Sequence, residues 1–139
     1  MERLARQAGL DTLVIDMNPD TVRALTDQGR LALYGDASLP DILKQAGVDR
    51  ASHLLVTLPH SLNRVPLIMA ARELNPSLRI LVRARYLLER RELEQAGASA
   101  ACFEETEAAV ALAELLLRDL QKDEETIRRE SAHIRNALE

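Results

Sequence analysis

Apolar residues recur along the chain in two alternating rhythms. Short runs of four to six positions alternate with longer stretches in which apolar residues return every three or four positions. The short runs are TLVID at 12–16, RLALY at 30–34, HLLVT at 53–57, RILVRA at 79–84 and AACF at 100–103. Each has strand length and is bounded by turn-forming or helix-forming residues. HLLVT is polar only at its ends, which predicts a strand buried on both faces.

The longer stretches predict helices over 2–8, 19–28, 62–75, 87–96 and 106–120, with a shorter one opened by Ser38-Leu39-Pro40-Asp41 and closed by Gly47. Pro19 suits a first helical turn, Val22 and Leu25 lie three apart, and Gly29 stops that helix. Ser38 is an N-cap candidate with Asp41 three residues on, a capping box with Asp in place of Glu. A proline deep in a helix costs about 3 kcal/mol. The regular helix is therefore expected to begin near Asn63 or Arg64, with Pro66 in its first turn.

Strand and helix alternate throughout. That pattern predicts an α/β fold: a Rossmann-like parallel sheet with right-handed crossovers and flanking helices. Composition shifts at Gln121-Lys122-Asp123-Glu124-Glu125. The domain is thus expected over 1–121, with a charged C-terminal tail helix over 122–139. In that tail Ile127, Ile134 and Leu138 form a sparse stripe, which predicts a protruding or partner-contacting helix rather than part of the core.

The 139 residues suit one core. Only Tyr34, Tyr86 and Phe103 are aromatic, so Leu, Val, Ile and Ala must fill it. A net charge of −4 argues against a nonspecific nucleic-acid binder. No apolar run approaches the ~20 residues of a membrane span, and the first residues lack a signal-peptide stretch. A cytoplasmic location is the expectation. The single Cys102 excludes an intrachain disulfide and is expected as a small buried hydrophobe. His53, His60 and His133 are scattered, so no metal site is expected, and His60 reads as exposed loop. No Ser-His-Asp set, nucleophile elbow or carboxylate pair in a cleft appears, so no catalytic activity is expected.

Asp16 carries the most chemistry. It closes the TLVID run and precedes Met17-Asn18-Pro19 and a helix. An acid at this point of a dinucleotide-binding fold accepts hydrogen bonds from ribose hydroxyls. The alternative is a turn acid that caps the helix. Asn18 beside it joins the candidate set. The matching glycine-rich loop lies ~20 residues before such an acid, which here falls before Met1. Gly35, Asp36 and Ala37 follow the second run: glycine permits close backbone approach, and Asp36 can accept from an adenine amino group, or the segment is a turn with an N-cap. Thr57 and Leu58 end the third run, at the edge where open α/β sheets bind ligands. Arg83 and Arg85, at the end of the fourth, are candidates for a phosphate or for solvent.

The segments VIDMNP, LYGDAS, ILKQAGVDRASHLLVTLP, ILVRARY and LEQAGASAACFEE occur in this order. Together they resemble the RCK domains, also called KTN or TrkA-N type, that regulate potassium channels and transporters. The resemblance is closest to the cytosolic domain of Kef-type potassium:proton antiporters and runs from Met1 to about Leu120. It implies a complete sheet ordered 3-2-1-4-5-6. It also implies a nucleotide-sensing regulatory function, with NAD(H) or an adenine nucleotide (AMP, ADP or ATP) at the carboxyl edge. Asp16 would hold the ribose, Asp36 and Ala37 would face the adenine, and Thr57 and Leu58 would line the inner cleft.

A homodimer or higher oligomer, coupled to a membrane-embedded channel or antiporter portion at the inner face of the cell membrane, follows from the same resemblance. The family's first strand and glycine loop fall before Met1. Their places leave two strand edges open. TLVID and HLLVT then either pair directly, take a partner chain's strand in a swapped dimer, or leave the chain marginally folded; intermolecular pairing or a rearranged dimer, rather than a monomer, is the expectation. Two rival readings are a ligand-free dimerisation module and a fragment of an NAD(P)-dependent oxidoreductase.

Overall fold

Leu13–Asp16 (β1) and Leu31–Tyr34 (β2) pair in parallel, with Leu13 opposite Leu31 and Asp16 opposite Tyr34. The structure is a computed structural model that describes residues 1–59 and 61–138. His53–Val56 (β3), Arg79–Ala84 (β4) and Ala100–Phe103 (β5) form a second parallel ladder, ordered β3-β4-β5. All five apolar runs are therefore strands. Among the described residues β1 is hydrogen-bonded to β2 and β3 to β4.

The chain divides into two units, Met1–Ser52 with Met69–Leu78, and His53–Ile68 with Arg79–Glu139. The first unit holds β1 and β2 with Glu2–Gln7 (α1), Pro19–Asp27 (α2), Pro40–Gln45 (α3) and a 3-10 turn at Val48–Arg50. Asn18 starts α2: its Oδ1 accepts from the amides of Asp20 at 2.9 Å and Thr21 at 3.4 Å. Pro19 is the first helical residue, as the sequence predicts. The capping box at Ser38 does not form. Asp36 Oδ1 captures the Ser38 amide at 2.8 Å, so the chain is still turning at Ser38 and the helix begins after Leu39.

The last part of Val65–Leu74 (α4) belongs to this first unit, and its first part to the second. Pro66 lies in its first turn, where its missing N–H costs nothing. Asn75, just past α4, is buried. Its Nδ2 donates to the carbonyls of Val48 at 2.9 Å and Ala51 at 3.0 Å, and its Oδ1 accepts from Ser77. One amide side chain thus satisfies a turn that leaves no regular ladder for those carbonyls.

In the second unit β3 is an edge strand, and the expectation of burial on both faces is corrected: His53 and Leu55 are exposed while Val56 is buried. The predicted helix over 87–96 is a 3-10 turn at Leu87–Glu89 followed by Arg90–Ala96 (α5). Glu89 Oε1 accepts from the amides of Tyr86 at 2.9 Å and Arg85 at 3.1 Å, which tightens the first turn. Cys102 is also corrected: it is exposed. Because β5 alternates its side chains, Phe103 points inward and is buried, and Cys102 lies on the open side.

Glu104–Asp119 (α6) and Glu124–Leu138 (α7) close the chain. The tail helix does not protrude. Ile127 and Ser131 of α7 are buried. Ser131 Oγ donates to Glu114 at 2.8 Å, and Arg135 donates twice to Glu107, at 2.7 and 2.9 Å. The sparse apolar stripe understated this packing because polar pairs supply much of it. Buried apolar residues are Leu, Val, Ile and Ala apart from Phe103. No helix among the described residues is long and apolar enough to cross a membrane.

Candidate functional site

The carboxyl ends of β1 and β2 bring five of the candidate residues into one unit. Asp16 ends β1, and its carbonyl accepts from the Gly35 amide at 3.1 Å, one step beyond β2. That bond draws the Gly35-Asp36-Ala37 turn beside Asp16. Asp16 Oδ1 accepts from the Asn18 amide at 2.8 Å, so the acid does hold the turn into α2. Asn18 is the side chain that caps the helix, and its oxygen is committed to Asp20 and Thr21.

Gly35 is needed for a reason the sequence did not show. Its φ is not positive. A β-carbon there would lie 2.7 Å from Ile42 Cδ1, so the close approach is to α3 of its own chain. Asp36 accepts hydrogen bonds from the backbone and then the side chain of Ser38, which hold its carboxyl below the usual 3.8. It is therefore ionised at neutral pH. Carboxylate oxygens at these two strand ends suit hydroxyl or amino donors.

Thr57, Leu58 and Arg83 belong to the second unit. Thr57 is exposed just past β3, and Leu58 is half-buried. Arg83 lies on β4, and its Nε donates to Glu104 Oε1 at 2.6 Å, so its charge is already matched at the start of α6. The Arg85 guanidinium stacks 5.1 Å above the Tyr86 ring. His60 lies outside the described residues. No group of three or more metal-binding side chains occurs among the described residues.

Two features escaped the sequence. Arg64 is buried and forms an ion pair with Glu89, which ties the start of α4 to the turn after β4. Glu89 follows Tyr86 by three residues, the spacing of a side chain reaching back to an N-terminal amide, and that spacing was the available signal. The other is a set of arginines around α1, whose members are far apart in sequence.

The TrkA-N domain family model matches residues 1–104. The chain belongs to the TrkA-N domain family. It is 31% identical over 118 residues to the glutathione-regulated potassium-efflux system protein KefC of Enterobacter sp. (strain 638), covering 85% of this chain and 19% of KefC. The KefC of Escherichia coli O9:H4 (strain HS) matches over the same share, also at 31%. The chain thus spans about a fifth of the length of these curated relatives.

Among solved structures, the TrkA-N domain resembles that of the inner membrane protein YbaL from Escherichia coli. The TM-score is 0.77 at 27% identity, over 82% of this chain and 84% of the other. The Kef C-terminal domain of Shewanella denitrificans, solved in AMP-bound form, gives a TM-score of 0.80 at 23% identity, over 98% of this chain and 86% of the other. The GsuK channel bound to NAD gives 0.64 at 21% identity, over 71% of this chain and 18% of the other. The Rossmann-like α/β fold expected from the sequence is the fold of this TrkA-N domain.

Proposed function

We propose that this TrkA-N domain is a nucleotide-sensing regulatory domain, without catalytic activity of its own, within a longer potassium channel or potassium:proton antiporter. The observation that carries this reading is that the Gly35 amide bonds the Asp16 carbonyl, which sets the turn carrying Asp36 next to the end of β1, in a chain of this family. Asp16 accepts from the ribose hydroxyls of an adenine nucleotide or NAD(H). Asp36 and Ala37 meet the adenine. Relatives of the same fold were solved with AMP and with NAD. Nucleotide binding shifts the balance between two dimer arrangements, and the transporter portion at the inner face of the membrane reads that balance.

Titration calorimetry with AMP, ADP, ATP and NADH tests this. Micromolar binding of one of them, weakened by Asp16→Asn, is expected. Silence across the panel sinks the sensing reading.

A second reading, a dimerisation module without ligand, is favoured by one observation. The outer face of α6 exposes Leu112, Leu115, Leu116 and, just beyond the helix, Leu120, each more than half exposed. Exposed leucines in such a row mark an interaction surface, and a second copy of the chain is the occupant both readings share. The β1 and β3 edges offer swapped strand pairing as a further contact. Light scattering separates the cases: a dimer that is silent to nucleotides supports the module, and a folded monomer removes both dimer forms.

A further inference from the structure

A cavity of about 400 Å³ in the first unit is lined by Glu2, Arg3, Arg6, Gln7 and Arg30. Four of these come from α1, whose pitch sets positions 2, 3, 6 and 7 on one side. Arg30 comes from the turn after α2 and immediately precedes β2. The cavity therefore opens at the amino ends of the strands, the edge opposite Asp16 and Asp36.

Among the described lining residues Glu2 is the only carboxylate. It holds Arg30 through both oxygens, with Arg30 Nε donating to Oε1 at 2.8 Å and Nη2 paired to Oε2. Gln28 accepts from a further Arg30 nitrogen at 3.3 Å. Arg30 is thereby fixed in orientation. Arg6 stands 4.0 Å from Glu2 and is largely exposed, and Arg3 is exposed. Three guanidiniums against one carboxylate leave two positive charges in a concave site, in a chain whose net charge is −4. Arg3 and Arg6 are three apart on one helix face, where like charges repel. An anion carrying at least two charges relieves that repulsion, and guanidinium forks match phosphate oxygens two at a time. The volume lies within the range of small-ligand sites.

We propose that Arg3, Arg6 and Arg30 form a binding site for a polyvalent phosphate group, separate from the carboxyl edge. The phosphate is either free or carried on a membrane lipid headgroup, and the two sources are separable.

The test follows backbone amides of the isotopically labelled chain during titration with pyrophosphate at fixed ionic strength. Amides of residues 3–7 and of Leu31 are expected to shift and saturate, while those of Gly35 and Ser38 hold still. Arg3→Gln combined with Arg6→Gln is expected to weaken binding at least tenfold without moving the unfolding midpoint, since both side chains are exposed. A parallel arm floats the chain with phosphatidylglycerol vesicles. Flotation lost in the double variant, with no response to pyrophosphate, assigns the phosphate to a headgroup and keeps the site. The site is overturned if neither probe binds, if the double variant binds as well as the parent, or if sodium chloride gives the same shifts.

Discussion

A β-carbon on Gly35 would lie 2.7 Å from Ile42 Cδ1 and 3.1 Å from both Cγ atoms of the same side chain. The turn carrying Asp36 and the Ile42 side chain of α3 are therefore packed with no room for a β-carbon at Gly35 unless that side chain shifts. Gly35→Ala is expected to destabilise the domain by about 1–3 kcal/mol through overpacking. Adding Ile42→Val, which removes Cδ1, should recover part of that loss. Chemical denaturation of the two variants measures both steps, and an unchanged midpoint in Gly35→Ala contradicts the packing explanation.

Asn18 provides the second prediction. Its side chain accepts two amides of the first turn of α2, one of them at 2.9 Å. Replacing it with Ala removes that cap, at a cost of about 0.5–2 kcal/mol. Asn18→Asp keeps the acceptor and should retain most of the stability. The pair also separates roles at this edge: if Asn18→Asp binds nucleotide as the parent does, the Asn18 side chain serves as the cap of α2 rather than touching ligand.

Much of this architecture was legible because the signals were local. Strand length, β-branched content, Pro19 and Gly29 depend on neighbours in sequence, and each element they predicted is present. Asp16 was legible as an acid ending a strand and Asp36 as an acid in the turn after the next one, and the Gly35 amide's bond to the Asp16 carbonyl joins that turn to the end of β1. The failures have a common cause. Ser38 lost its cap role to Asp36, Cys102 fell on the uncovered face of β5, and α7 was held by Glu107 and Glu114. Each depends on which element lies beside which, and one-dimensional periodicity does not carry that. The arginines around α1 escaped for the same reason: Arg30 is 28 positions from Glu2 in sequence and bonded to it in space.

Asn75 tests whether a single polar side chain closes the first unit. It donates to two carbonyls from a site that is only 6% exposed. Asn75→Asp keeps the shape but turns both donors into an acceptor facing carbonyl oxygens. Leaving those groups unsatisfied costs about 1–3 kcal/mol, more with a charge present. The variant should be clearly less stable at pH 7, and should regain part of the loss on acidification, when the carboxyl takes up a proton and can donate once. Stability that is flat with pH in this variant would falsify that account.

The α6–α7 hairpin carries the acid sensitivity of the second unit. The Arg135 side chain donates to Glu107 and, against a smaller desolvation effect, holds its carboxyl below the usual 4.5. The backbone and then the side chain of Thr126 do the same for Asp123, below 3.8, at the start of α7. Both groups bind protons less readily in the folded hairpin than in the unfolded chain. Their contribution is therefore complete above the unfolded values and is lost as pH falls through the lower folded ones. Because the Glu107–Arg135 pair is about two-fifths exposed on each side, its share is below about 1 kcal/mol, and salt reduces it further. Acidification below about pH 4.5 should thus begin to loosen α7 before it affects the strands. Methyl signals of Ile127, buried in the hairpin, report the detachment, and backbone amides of β4 report the sheet. Glu107→Gln should lower stability at pH 7 and flatten its decline with acid. If Ile127 and β4 respond together at every pH, and Glu107→Gln leaves the acid profile unchanged, the hairpin does not titrate on its own.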